Sequence, residues 1–314
     1  MNKKVCIIIP AFNEEGNIEA VAAAVKDVFK NLPYDYSILF CDDGSTDNTL
    51  QVIEALSRQS NAIQYLSFSK NNGHQLALKA GIDHCDADCC ISMDADLQHP
   101  PGLIPQMLHR WEQGIEVVYT VRRDQKKLSL FKKISSSLFY KLLSKLSSIE
   151  LEEGSADFRL LDKKVVTQLK GIKEQDIFLR GLVKWMGFRQ AAIHYDPADR
   201  FSGTSKYSYK KMLLLALQGI TSFSTKPLYM AIYIGFIFSF LSLLYIPYAI
   251  YNYWAGHVVS GWSSLIVTVT FLGGLQLIIM GIIGLYLGKL FMQSKGRPLY
   301  IIDKTNIPPG DGNI

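Results

Sequence analysis

Between Val5 and about Thr120, short apolar runs alternate with longer amphipathic stretches. The runs Val5–Ile9, Ser37–Cys41, Ile63–Ser67, Cys89–Met93 and Val117–Thr120 are rich in Ile, Val, Leu or Cys, and their length suits buried strands. Helical spacing falls between them: Ile18, Val21, Ala22, Val25 and Phe29; Leu50, Ile53 and Leu56; then Leu103, Ile104, Met107, Leu108 and Trp111. Strand alternating with helix predicts an α/β domain: an open, mostly parallel sheet with helices on both faces.

The pattern changes after Lys226. No Asp, Glu, Lys or Arg occurs from there to Lys289, a charge-free stretch of 62 residues. A membrane span needs about 20 apolar residues, so the stretch holds two. The polar break Asn252–Ser264 separates a helix expected over about Leu228–Tyr251 from a second over about Leu265–Leu287. Lys206, Lys210, Lys211 and Lys226 precede the pair, Lys289, Lys295 and Arg297 follow it, and the short loop has no Lys or Arg. That bias puts both termini in the cytoplasm and the loop on the far side. Tyr248, Tyr251, Tyr253, Trp254 and Trp262 gather near the loop as an interfacial belt.

Composition then becomes readable. The chain is 48% hydrophobic and 19% charged, an average of two unlike parts. Up to Lys226 there are 29 Lys+Arg (33 − 4) and 26 Asp+Glu (28 − 2), a net charge near +3. Disorder and a small disulfide scaffold are excluded by this much apolar material. The first apolar run is too short for a signal peptide and ends at Pro10, which keeps the large domain in the cytoplasm. Five cysteines (Cys6, Cys41, Cys85, Cys89 and Cys90) suit a reducing compartment. The spacing of Cys85, Cys89 and Cys90 with His84 or His99 matches no common zinc pattern, so buried thiols are expected.

In an open sheet, ligands sit beyond the carboxyl ends of the strands. Polar clusters fall there: Pro10–Glu14 after the first strand, Asp42–Asp47 after the second, Asp94–His99 after the fourth. Neither a Gly-x-Gly-x-x-Gly turn nor a Gly-Lys-Ser/Thr loop is present, which argues against a dinucleotide oxidoreductase or a P-loop enzyme. Strand alternation is expected to put Asp94 and Asp96 on one side, with Gln98 nearby. Two carboxylates and an amide oxygen suit Mg²⁺ or Mn²⁺ that also takes phosphate oxygens. Taken singly, Asp-x-Asp also fits a solvated turn, and Asp42-Asp43-Gly44-Ser45 a plain turn before a capped helix.

Together these motifs resemble a known family. Pro-x-x-Asn-Glu, Asp-Asp-Gly-Ser-x-Asp-x-Thr, Asn72-Gly73 and Asp-x-Asp-x-Gln-x-Pro-Pro are similar to family-two glycosyltransferases of the GT-A fold, whose Rossmann-like domain binds a sugar nucleotide. Gly154–Leu161 and Arg200–Tyr207, with two trailing membrane helices, resemble polyprenyl-phosphate sugar synthases, such as bacterial bactoprenol glucosyltransferases and dolichyl-phosphate mannose synthase. The resemblance implies that Pro10, Phe12 and Glu14, with Asp42 or Asp43, hold the nucleoside. It implies that Asp94, Asp96 and Gln98 hold the metal on the diphosphate, with Asp96 in a catalytic role. Asp157 is then the position for a base or acceptor-orienting group, the other reading being a structural carboxylate paired with Arg159 or another cation. A homo-oligomer, tetramers included, also fits, and Gly273, Gly274, Gly281, Gly284 and Gly288 give the spans close-packing faces.

The acceptor side can be argued from charge. Residues 122–145 carry eight Lys+Arg against Asp124 alone, with Leu138, Phe139, Leu142, Leu143 and Leu146 at helical spacing. A basic amphipathic helix lies on an anionic membrane surface, and a second such piece spans Tyr209–Phe223. Solvated basic faces are the plainer alternative. Nucleic acid is excluded as a partner by the modest net charge and the lack of a binding motif. Arg122, Arg123, Arg200 and Lys206 are the expected binders of a lipid phosphate. The expected organisation is a catalytic domain over 1–206, a juxtamembrane helix over 207–226, two membrane helices over 227–290 and a cytoplasmic tail over 291–314, held at the inner membrane. The expected reaction is inverting transfer of a hexose, glucose from UDP-glucose, to undecaprenyl phosphate. Another sugar (mannose, N-acetylhexosamine, a modified arabinose), another lipid acceptor or a catalytically dead scaffold are the alternatives.

Overall fold

The computed structural model describes residues 2–123, 152, 154–196, 224–256 and 261–308. Among the described residues, eight strands form one mixed sheet: β1 (Lys4–Ala11), β2 (Asp35–Asp42), β3 (Ile63–Phe68), β4 (Cys89–Ser92), β5 (Val117–Arg122), β6 (Ser155–Asp162), β7 (Gln190–Tyr195) and β8 (Ile302–Thr305). Their spatial order is β7-β5-β6-β4-β1-β2-β3-β8. The central strands β4, β1, β2 and β3 are parallel, as the alternating pattern predicts. β6 enters antiparallel between β4 and β5, and β8 closes the β3 edge antiparallel.

The helices of the domain are α1 (Ile18–Phe29), α2 (Thr49–Gln59), α3 (His74–His84), α4 (Ile104–Glu112), α5 (Lys163–Gly171) and α6 (Leu179–Trp185). Strand alternation splits the core in two. Val5, Ile7 and Ile9 of β1 pack with Ile18, Val21 and Val25 of α1 and Ile53 of α2 on one face. Cys6 and Ile8 pack with Ala77 and Leu78 of α3 and Val165 of α5 on the other. All five cysteines are buried free thiols.

Two long apolar helices follow, α7 (Lys226–Trp254) and α8 (Trp262–Ser294). The rings of Phe238 and Phe271 lie 5.5 Å apart between them. Among the described residues, Leu265–Ser294 has the length and mean hydropathy (2.3) to cross a membrane, and Lys226–Leu241 is a shorter apolar stretch. The 207–223 part of the expected juxtamembrane helix, the basic helix beyond Arg123, and Arg200 and Lys206 lie outside the described residues. The segment after α8, read from sequence as a tail, supplies β8. Its Tyr300 ring stacks on Phe68 at 5.1 Å, and the Asn306 side chain accepts from the Tyr65 N–H at 2.8 Å.

Candidate active site

A cleft of about 760 Å³ opens beyond the carboxyl ends of β1, β2 and β4. Its floor comes from three turns that share hydrogen bonds. Asn13 adopts a positive φ of 55°, and its side-chain oxygen accepts from the Thr46 N–H at 2.9 Å. The Glu14 N–H donates to Thr49 Oγ1 at 2.8 Å, and the Glu14 carboxylate accepts from the Asn17 amide at 2.6 Å. Gly44, at φ 67°, lets the second turn pass Lys70, whose carbonyl carbon would sit 2.6 Å from any Cβ there.

Pro10, Phe12, Glu14, Asp43, Asp94, Asp96 and Asp157 all border this cleft. The neighbouring carboxylates Asp42 and Asp43 divide their tasks. Asp42 is buried, accepting from Ser67 Oγ at 2.6 Å and the Ser45 N–H at 3.2 Å. Asp43 accepts from the backbone N–H groups of Asn72 and Gly73 at 2.7 and 2.9 Å, which fixes the start of α3. Burial raises its carboxyl pKa, opposed by those two N–H donors.

β4 ends at Ser92, so Asp94 and Asp96 stand in the following turn and strand alternation is not what orients them. The turn is pinned by the Asp94 N–H donating to His99 Nδ1 at 3.0 Å, and by Leu97 at φ 58°. Gln98 donates its backbone N–H to Asp96 Oδ1 at 3.1 Å and is not among the residues that line the cleft. Among the described residues no three His, Cys, Asp or Glu side chains form a metal-binding group. Carboxylate oxygens such as those of Asp94 and Asp96 are the hard ligand type that Mg²⁺ or Mn²⁺ prefers.

Asp157 sits at the back of the cleft in an ion pair. Arg180 of α6 donates from Nε and from an Nη to its two oxygens, both at 2.8 Å. Gln75 donates to it at 3.3 Å, and Arg159 lies 3.6 Å away. Burial alone would raise its pKa, but Arg180, with His74 and Arg159, outweighs it and holds the carboxyl well below the usual range. His74 bridges the two acidic positions, 3.6 Å from Asp94 and 3.7 Å from Asp157. Burial opposes its charge, yet these carboxylates raise its pKa.

Arg122 ends β5 and Arg123 follows it, both exposed. Tyr195 on β7 has its phenol pushed up to about 12 by burial, against Arg122, with Asp94 and Asp96 adding to the rise. Arg122 is the register partner of Tyr195 across the β5–β7 pair. Sequence reasoning missed His74 and Arg180. His74 directly follows the Asn72-Gly73 motif, whereas Arg180 has no local signal, being joined to Asp157 only through the packing of α6.

Residues 6–169 match the family model described as glycosyl transferase family 2. The chain belongs to that family. An uncharacterized glycosyltransferase of Bacillus subtilis (strain 168) is 40% identical over 95% of this chain and 93% of its own. The bactoprenol glucosyl transferase of Shigella phage SfII is 38% identical over 96% of this chain and 98% of its own. A mannosyltransferase from Pyrobaculum calidifontis, solved in complex with GDP-Man and Mn²⁺, shares the fold: TM-score 0.50 at 15% identity, covering 71% of this chain and 64% of that one. This family-two member is thus a glycosyltransferase with a mixed GT-A-like sheet, and the cleft at the carboxyl edge is its candidate active site.

Proposed function

We propose that the protein transfers a hexose, glucose from UDP-glucose, to the phosphate of undecaprenyl phosphate with inversion at the anomeric carbon. The observation that carries this reading is the near-full-length similarity to bactoprenol glucosyl transferases, which runs through the apolar helices as well as the catalytic domain. The cleft supports it. Pro10, Phe12, Glu14 and Asp43 line the side assigned to the nucleoside, and Asp94 and Asp96 the side assigned to the diphosphate.

In this mechanism Asp94 and Asp96 hold Mg²⁺ or Mn²⁺. When bound, the ion offsets the negative charge that builds on the departing diphosphate. The acceptor is already anionic at neutral pH, since a phosphate monoester has its second pKa near about 6. It attacks without a strong base. Asp157, held ionised by Arg180, is assigned to positioning: it keeps Arg180 at the back of the cleft, where a cation favours the incoming phosphate. Arg122 and Arg123 are assigned to the acceptor's approach, with Arg200 and Lys206 as further phosphate binders.

The reading places residues 1–206 at the cytoplasmic face of the inner membrane, followed by a juxtamembrane helix and a two-span hairpin over 227–290. β8 supports the hairpin: a chain that leaves the sheet and returns to it must cross the membrane an even number of times. A homo-oligomer is part of the same proposal. The test is purified full-length protein in lipid vesicles with undecaprenyl phosphate, Mg²⁺ or Mn²⁺, and a panel of radiolabelled UDP- and GDP-sugars. Lipid-extractable label from UDP-glucose is expected. Label from another donor alone would correct the sugar, and none from any donor would refute the reaction.

A further inference from the structure

The cleft has two unlike walls. One is made by the strand ends and turns at Pro10–Glu14 and Asp43, tied into the sheet by bonds such as the Asp43 N–H to the Ala11 carbonyl at 2.9 Å. The facing wall is the segment Gln175–Phe178 with Arg180, which belongs to no strand. Its anchors are side chains from elsewhere. The Gln175 N–H donates to Gln293 Oε1 at 2.9 Å, and Gln175 Nε2 donates to the Arg297 carbonyl at 2.7 Å. Gln293 Nε2 donates back to the Lys173 carbonyl at 3.0 Å, and Lys289 pairs with Asp176 at 3.1 Å. Gln293 and Lys289 lie in the last two turns of α8, and Arg297 follows three residues after that helix ends.

The segment's far end reaches the site. The Leu179 N–H donates to Gln75 Oε1 at 3.1 Å, Gln75 donates to Asp157, and the next residue, Arg180, forks onto the same carboxylate. A continuous set of bonds therefore runs from the end of the membrane-helix candidate, through residues 173–180, to the ion pair at the back of the cleft. We propose that this segment is a strap by which α8 sets the acceptor side of the active site, with Gln175 and Gln293 as positioning residues. In position it separates the two substrates' requirements. The nucleoside wall hangs on the sheet, while the wall that meets the lipid phosphate hangs on the helix that shares the lipid's bilayer. The acceptor part of the inference rests on the function proposed above.

The test compares wild type with Gln293→Ala and Gln175→Ala, each as the full chain in vesicles containing undecaprenyl phosphate. Amide hydrogen exchange of peptides covering 172–181 is expected to speed up about tenfold in Gln293→Ala, as expected for loss of local anchoring, with β1 and β4 unchanged. With UDP-glucose as donor, the acceptor KM is expected to rise roughly fivefold in both variants while the donor KM stays within about twofold. Unchanged exchange in 172–181 overturns the strap. Faster exchange with an unchanged acceptor KM overturns its role in positioning, as does an equal rise in both KM values. Absence of turnover in the wild type refutes the assigned reaction instead, and the exchange measurement alone then decides whether α8 holds the segment.

Discussion

Asp157 carries two readings from sequence, a base or acceptor-orienting group and a structural carboxylate paired with a cation. It is buried together with Arg159, and Arg180 covers both of its oxygens. Removing one member of a buried ion pair strands the other charge, which costs about 3–5 kcal/mol. Asp157→Asn is expected to lose stability on that order, measured as a shifted urea midpoint of the full chain in detergent. The pH dependence follows from the depressed folded-state pKa. Stability from Asp157 is fully present above its unfolded pKa of about 3.9 and disappears as pH falls through the lower folded value. Wild type should therefore lose this contribution only below about pH 4, and the Asn variant should show a flatter curve there. A rate profile of wild type that bent with an Asp157 titration between pH 5 and 8 would restore the base assignment. Asp96→Ala, by contrast, alters a half-buried turn carboxylate. It should abolish transfer while leaving the melting temperature within a few degrees of wild type; substantial metal-dependent turnover would sink the metal assignment. Sequence reasoning reached Asp94, Asp96 and Asp157 because short motifs carry them. Arg180 escaped it because an ion pair spanning 23 residues leaves no mark on local spacing.

Between elements, the central strands and α1, α2 and α4 were legible because each buries a periodic apolar face against a parallel sheet. β6 was read as an acceptor motif rather than a strand, since Ser155–Asp162 mixes the buried apolar residues Phe158, Leu160 and Leu161 with the buried charged residues Asp157 and Arg159. β8 was illegible for another reason: Ile302–Thr305 has one apolar residue, and its pairing with β3 is completed by Asn306, Thr305 and Tyr300. Tyr300 also donates to Asp83 at 2.9 Å, and Asp83 pairs with the buried Lys79 of α3. Tyr300→Phe keeps the stack on Phe68 and removes one hydrogen bond to a charged group, an expected loss of about 1.5–3 kcal/mol in a chemical melt. α3 itself is held tightly against the sheet. A Cβ on Gly81 would overlap Ile8 Cγ2 and lie 2.9 Å from Cys41 Sγ. Gly81→Ala should therefore destabilise by about 1–3 kcal/mol through overpacking, despite alanine's better helix propensity. A stabilised variant would mean that α3 can move off β1 freely.

The chain as a whole poses a topological question that hydropathy leaves open. One helix, Leu265–Ser294, meets the length and composition for a span among the described residues, and an odd number of crossings would be the naive count. The sheet argues otherwise. β1 to β7 precede α7, β8 follows α8, and all belong to one hydrogen-bonded sheet, so Ile302–Thr305 lie on the same side as β1 to β7. On the proposed two-span reading α7 supplies the second crossing, and its 29 residues span about 43 Å at 1.5 Å per residue, enough for a hydrocarbon core of about 30 Å. Pro247 inside α7 is tolerable there because a neighbouring helix can re-satisfy the freed carbonyl. The cysteine inventory makes this directly measurable. All five native thiols are buried, so an introduced one reports against a quiet background. In intact cells a membrane-impermeant maleimide should label Ala255→Cys, just past the end of α7, and should reach Lys304→Cys on β8 only after permeabilisation. Labelling of both positions from the same side of an intact membrane would mean that neither helix crosses. The basic segments and the strap from α8 would then hold the enzyme on the membrane surface without a span.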